Sequence, residues 1–163
     1  MMNLSQIFRK PLQEVPISTI VFVLIVALIG FADATYLTIE HFRGVIPPCS
    51  ATGGCETVLT GPYAAPLGIP VALVGAVFYL AVVVSSFMYI ESKHAGALRP
   101  YHRSFLKWVL IFTVLAMLAS LWFIFVQAFI LHAYCIYCLG SATTSIILFV
   151  TAMHIFSKYH ETF

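Results

Sequence analysis

Charge is what this sequence has least of. Asp, Glu, Lys and Arg make up 9% of its 163 residues, against about 25% in an average soluble domain. A fold with water on every side cannot be covered by so few charges, so composition excludes a soluble globular protein. Eight Lys and Arg stand against six Asp and Glu, a net charge of +2. That is too little positive charge for a nucleic-acid surface. Cysteine is also scarce, at four residues, so any chemistry built on sulfur has to use those positions.

What the chain has instead is apolar length. Apolar residues make up 61% of it, and four runs exceed the roughly 20 residues that a membrane helix requires. They cover roughly 17–37, 67–90, 105–131 and 136–156. Their length and lack of strict alternation predict helices rather than barrel strands. The expectation is an all-α membrane protein, a four-transmembrane-helix bundle forming a single domain over 1–163. The third and fourth runs are nearly contiguous and predict a tight antiparallel hairpin. The first run, with Arg9 and Lys10 before it and Ala32-Asp33-Ala34 within it, has some features of a cleaved signal peptide. It is longer than a signal core, and Tyr36, Leu37 and Ile39 carry its apolar character onward, so a retained span is expected.

Basic residues predict the orientation. Arg9, Lys10, Lys93, Arg99, Arg103, Lys107 and Lys158 fall at the termini or the second connection, and Arg43 in the first. Both termini are therefore expected in the cytoplasm of a cell, or inner, membrane, and the first and third connections on the periplasmic or extracellular side. With four spans, odd-numbered connections share a face. Cys49 and Cys55 in the first and Cys135 and Cys138 at the third therefore meet at one surface whichever way the bundle points. Outside the cytoplasm, that surface is one where disulfides form and persist.

Cys135-Ile136-Tyr137-Cys138 is a CxxC at the start of a predicted helix. Unpaired N–H groups and the helix dipole stabilise a thiolate there, and the thiolate is the nucleophile of disulfide exchange. Leu139 replaces the His of a haem-attachment site. Cys49 and Cys55 bracket a spacer ending in Gly53 and Gly54, which permit a sharp turn. The surrounding loop is long and rich in proline and glycine, so both thiols have room to visit the CxxC. Residues 56–59 are expected to form a helical turn that lays Val58, Leu59 and Tyr63 over the membrane surface as a cap. Two plainer readings compete: two structural disulfides that staple the loops, or a four-thiolate zinc site. The wide spacer between Cys49 and Cys55 and the oxidising face argue against metal, and none is expected.

These residues resemble bacterial homologues of the vitamin K epoxide reductase family, which act like the quinone-linked disulfide-bond formation protein B. The resemblance is carried by Ala32-Asp33-Ala34-Thr35-Tyr36-Leu37-Thr38, by Pro48-Cys49-Ser50 with Cys55-Glu56-Thr57-Val58-Leu59, and by Tyr63-Ala64. It continues through Gly68-Ile69-Pro70-Val71-Ala72, Gly75 with Tyr79, and Tyr134-Cys135-Ile136-Tyr137-Cys138. It implies a four-helix bundle around a quinone (ubiquinone or menaquinone) with the cysteine loop capping that site. It also implies a relay. A reduced thioredoxin-like protein, similar to disulfide-bond formation protein A, exchanges with Cys49 and Cys55. Cys55 forms a transient disulfide with Cys135, and Cys138 delivers electrons to the quinone. Many bacterial relatives carry a fused thioredoxin-like domain that this sequence lacks, so a separate partner is expected. The Asn and Tyr that hold the vitamin K head group in animal enzymes stand here as Val71 and Ala142, which argues against epoxide reduction. The alternatives kept open are a thiol-driven reductase of vitamin K-type quinone or epoxide, and a non-enzymatic, disulfide-stapled or metal-binding membrane subunit.

Four further residues are candidates for the quinone site. Asp33 lies about 25 Å along the first helix at 1.5 Å per residue, near the outer face. It reads either as a hydrogen-bonded structural carboxyl or as a proton acceptor beside the quinone. His132, three residues before Cys135, reads as an interfacial residue or as support for a thiolate. Ser141 and Ser145 share a face with Cys138. They are suited to hydrogen-bond quinone carbonyls or, as often in membrane helices, their own backbone. Tyr36, Phe78, Tyr79 and Trp122 read as packing or belt residues, and Glu40 and His41 as solvated.

Overall fold

A computed structural model of the chain describes residues 15–49, 53–94 and 102–159. Arg9, Lys10 and Arg99 of the orientation pattern lie outside the described residues, as does Ser50 in the loop. Four long helices cross the bundle. They are α1, Ile17–Arg43; α3, Val71–His94; α4, His102–Phe125, which continues as a π-helical turn over Val126–Ile130; and α5, Ile136–Tyr159. A short helix α2, Cys55–Thr60, and a 3-10 turn at Pro66–Gly68 lie between α1 and α3. The membrane-spanning windows have mean hydropathies of 2.4, 2.4, 2.7 and 1.7 for α1, α3, α4 and α5. In hydrocarbon every peptide group must find its partner within the segment, so such runs can only be helical. No strand occurs among the described residues.

Local chemistry sets the helix ends. Pro16 precedes α1, with its carbonyl accepting the Thr19 N–H. Gly44, left-handed at φ 67°, closes α1 by donating to the His41 carbonyl, and Val45 donates to that of Glu40. The second span begins at Val71, four residues later than hydropathy suggests. Leu67 is apolar, but it sits in the 3-10 turn at φ 59° and is fully exposed, and Pro70 immediately precedes the helix. Local turn chemistry overrides the apolar run there.

The helices form a ring in which α1 and α4 each pack against both α3 and α5. Half of the ring is solidly filled. Ile20, Val23 and Ala27 of α1 meet Val82 and Tyr89 of α3, Leu106 and Val109 of α4, and Leu148 and Ile155 of α5. Lipid gives helices no hydrophobic reason to associate, so close packing of small and branched side chains holds them together. The outward faces carry Phe22, Ile29, Val77, Leu118, Trp122 and Val150, all exposed, as a lipid-facing surface requires. The opposite half of the ring, where α2 and the α4–α5 turn lie, is built differently.

Candidate active site

The four cysteines are gathered at that second end. Cys49 and Cys55 are joined in a disulfide with Cα atoms 5.8 Å apart, and Cys135 and Cys138 are free thiols. Cys55, Val58 and Cys135 form a fully buried cluster against which Cys49, Leu59, Leu131, Tyr137 and Cys138 pack. The structure bonds the loop pair to itself and leaves the CxxC pair reduced. It also brings the second cysteine of the loop pair onto the first cysteine of the CxxC.

Backbone chemistry makes this approach possible. Gly53 has φ 64°, a left-handed conformation that glycine adopts without strain. Gly54 presses directly on the α4–α5 turn: a Cβ there would lie 2.6 Å from the Tyr134 nitrogen and 2.8 Å from its carbonyl oxygen. Only a residue without a side chain lets α2 seat Cys55 so close to Cys135. From the other side, the Tyr137 hydroxyl donates to the Pro48 carbonyl at 3.1 Å, and its ring tilts against Tyr36 with centroids 5.7 Å apart. The CxxC helix thus grips the loop just before Cys49.

The turn before the CxxC is held by a residue that the sequence pattern does not single out. Gln127, in the π-helical turn and 1% exposed, accepts the Cys135 peptide N–H on its side-chain oxygen at 2.9 Å. Its amide nitrogen donates to the Phe123 carbonyl at 3.4 Å, and its backbone carbonyl accepts the Ala133 N–H at 3.1 Å. His132 occupies the left-handed position of this turn (φ 47°), is exposed, and does not line the cavity beneath the sulfurs.

Below the sulfur cluster lies an apolar cavity of about 440 Å³, walled by all four long helices and roofed by Val58, Leu59 and Thr60 of α2. Cys138 is the cysteine on its wall. The two CxxC thiols touch each other, and each has a second neighbour: Cys135 packs on Cys55 of the loop disulfide, and Cys138 lines the cavity. Ser141 and Ser145 also line it, one and two turns below Cys138. Ser141 donates to the Asp33 carboxylate at 2.7 Å, tying α5 to α1. Asp33 is itself half-buried behind that wall rather than on it.

Two expectations are corrected by this geometry. Tyr79 is not a simple packing or belt residue. It lines the cavity, and its hydroxyl lies 2.8 Å from the Ser141 carbonyl, 2.7 Å from the Thr144 hydroxyl and 2.9 Å from that of Ser145. Its ring passes so close to α1 that a Cβ at Gly30 would overlap it. Glu40 is not solvated: it is buried, lines the cavity mouth and pairs with Arg43 at 3.0 Å. Helical periodicity assigns neither, because tyrosine and glutamate at these positions look the same whether they face lipid, water or a cavity.

Cys135 lies just before the span, and its thiol is drawn down to about 7. The Cys138 thiol as hydrogen-bond donor is the main cause, with backbone N–H groups of Cys138 and Tyr137 adding to it; burial and the Asp33 charge oppose it. A helix start that directs donors at one sulfur favours its thiolate, the form that acts as nucleophile in disulfide exchange.

A bonded pair and a thiol pair packed together, with one thiol on the wall of an apolar cavity, define a membrane thiol–disulfide oxidoreductase whose second substrate dissolves in lipid. The chain belongs to the vitamin K epoxide reductase family, whose model matches residues 21–153. Enzymes of this family exchange thiols and disulfides in the membrane, use quinones, and generally work with a thioredoxin-like redox partner. No curated protein matches the chain.

Proposed function

We propose that this protein oxidises the thiols of a thioredoxin-like protein and passes the electrons to ubiquinone or menaquinone, in support of disulfide-bond formation. The observation that carries this reading is that the CxxC bridges the loop disulfide and the cavity, with Cys135 packed on Cys55 and Cys138 on the cavity wall. In the first step a partner thiolate attacks Cys49, the less buried of the loop pair, and Cys55 leaves. The second partner thiol then displaces Cys49, so the partner gains a disulfide and the loop pair holds two electrons as thiols. Next, Cys55 attacks Cys135 of the oxidised CxxC and releases Cys138. Cys49 then re-forms its bond to Cys55 and releases Cys135. This exchange ends with a loop disulfide and two CxxC thiols, the pairing seen in the structure.

The cavity suits a quinone. Its walls are mostly apolar, with Glu40 and His41 of α1 and Ser120 of α4 among the exceptions, and Cys138, Ser141 and Ser145 of α5 form one polar group with the Tyr79 hydroxyl that reaches them from α3. A quinone bound there supplies a two-electron, two-proton acceptor, and its reduction leaves Cys135 and Cys138 as a disulfide. Asp33 orients that wall through Ser141, and Ser145 and Tyr79 present hydroxyls to a head-group carbonyl. Val71 and Ala142, both on the cavity wall, offer no polar hold on a vitamin K head group, which disfavours the epoxide-reductase sense. Charge bias puts both termini in the cytoplasm and the cysteines outside. The test is direct: mix purified protein, a reduced thioredoxin-like protein and a quinone, and follow quinone absorbance. Reduction is expected, lost with Cys138→Ala. A Cys138→Ala variant of undiminished activity refutes the role assignment.

A further inference from the structure

We propose that Gln127 is the positioning residue that sets the redox balance of the CxxC pair, by holding the Cys135 peptide N–H on its side-chain oxygen. The proposal rests on the redox role of Cys135 and Cys138 given above.

A glutamine amide is costly to bury in a membrane helix unless its polar atoms find partners. Thr38 and Thr113, two other buried polar residues of this bundle, hydrogen-bond carbonyls of their own helix, those of Ala34 and Leu110. Gln127 does something else. Its oxygen reaches eight residues ahead, out of α4 and across the turn, to the peptide of the cysteine packed against Cys55. The π-helical turn at Val126–Ile130 is the device that allows this. A π turn holds one more residue than an α turn, so it rotates the C-terminal stretch of chain relative to the N-terminal one. The Ala133 N–H on the Gln127 carbonyl closes the same turn from the backbone side. One residue therefore clamps the chain on both sides of Tyr134, the residue on which Gly54 rests.

The clamp has a chemical consequence. The Cys135 N–H is occupied by Gln127, which fixes the first peptide of α5. The next N–H groups, of Tyr137 and Cys138, are then aimed at the Cys135 sulfur together with the Cys138 thiol. Those donors favour the thiolate, and with it the reduced pair, over the disulfide. The titratable groups acting on Cys135 are Cys138 of its own helix and Asp33 of α1. The cap contributes the Cys49–Cys55 disulfide, which does not titrate. Without the clamp the peptide can turn, the donors spread, and the disulfide gains.

The test uses the full chain with Cys49→Ala and Cys55→Ala, so that only the CxxC reports. Two quantities are read: the midpoint of the thiolate ultraviolet absorbance against pH, and the equilibrium constant of the CxxC disulfide against dithiothreitol. Gln127→Leu keeps the volume and removes the acceptor. The expected result is a midpoint above that of the parent and a disulfide favoured by about three- to tenfold, where tenfold is about 30 mV for a two-electron couple. Gln127→Asn keeps the amide but withdraws it by one methylene, and is expected to shift both quantities the same way. If Gln127→Leu does not fold, Gln127→Asn decides. Values matching the parent in the variant that folds overturn the proposal and leave Gln127 as packing. Neither readout involves quinone. If the intact chain reduces no quinone, the functional reading fails, while the role of Gln127 is still decided by these two quantities.

Discussion

The two ends of the bundle follow opposite rules. At the end holding the first turns of α1 and the last turns of α5, the interior is solid. Ile20, Val23, Val82, Leu106, Val109, Leu148 and Ile155 fill it, and Tyr89 reaches the Val15 carbonyl at 3.4 Å. At the other end the helices part around a cavity of about 440 Å³. Hydrogen bonds between elements replace packing there: Ser141 to Asp33, Tyr79 to α5, Tyr137 to the Pro48 carbonyl, Cys135 to Gln127. The difference shows how a small membrane protein keeps a cavity open. Dispersion contacts hold the four helices at one end, so directional bonds can space them at the other without collapse. The same division separates stability from reactivity, and it can be tested residue by residue.

The largest expected effect is at the hollow end. Cys138→Ala should lower quinone reduction on the order of a thousandfold or more, since no other cysteine among the described residues lines the cavity. Cys49→Ala should abolish turnover driven by a thioredoxin-like protein yet leave turnover with a small dithiol measurable, because the CxxC and the cavity remain intact. Gly54→Val comes next. Its side chain would strike the Tyr134 backbone, lift Cys55 off Cys135 and lower partner-driven turnover by about tenfold or more. The backbone shift also costs about 1–3 kcal/mol of stability. Thermal unfolding together with a small-dithiol assay separates the two losses, since only partner-driven turnover needs the Cys55–Cys135 approach. If Gly54→Val transfers electrons as fast as the parent, the close seat of α2 is not what joins the sulfur pairs.

At the solid end, Leu148→Ala should cost about 2–4 kcal/mol by opening a void while leaving turnover per folded molecule unchanged. A matching loss of turnover would show that the two ends are coupled. The pH dependence sharpens the comparison further. With the Cys135 thiol near 7, below the ordinary cysteine value of about 8.5, its thiolate fraction falls about tenfold per pH unit below 7 and levels off above it. Attack of the reduced CxxC on a small disulfide should track that curve. An inflection at the ordinary cysteine value would mean that the helix start does not favour the thiolate. The smallest effect is expected from Tyr79→Phe, which removes one hydroxyl from a shared cluster. Stability should drop by about 1 kcal/mol, and the KM for quinone should rise a few-fold with kcat little changed.

The sulfur site is legible in the sequence because it rests on counting. Four spans put odd-numbered connections on one face, so Cys49, Cys55, Cys135 and Cys138 have to share it. The CxxC at a helix start carries its own chemistry. The cavity wall is legible only in part. Ser141 follows from its helical offset to Cys138, whereas its Asp33 partner sits more than a hundred residues away on another helix. Tyr79 reads as packing because an aromatic residue in an apolar run fits lipid, core and cavity equally well. Glu40 reads as solvated because its burial depends on the segment that folds back over the end of α1. Gln127 stays silent because its role depends on a π-helical turn, and no local pattern of side chains marks one.

Sequence alone determined that the chain lives in a bilayer, that it crosses four times and that its sulfurs meet, because hydropathy, span parity and cysteine position are properties of the linear chain. Tertiary structure decided which sulfur looks at which partner. Cys135 meets the loop and Cys138 the cavity because Gly54 admits the cap, Gln127 fixes the turn and hydrogen bonds between elements space the helices at that end. Each of those depends on atoms of different elements meeting at van der Waals or hydrogen-bond distance.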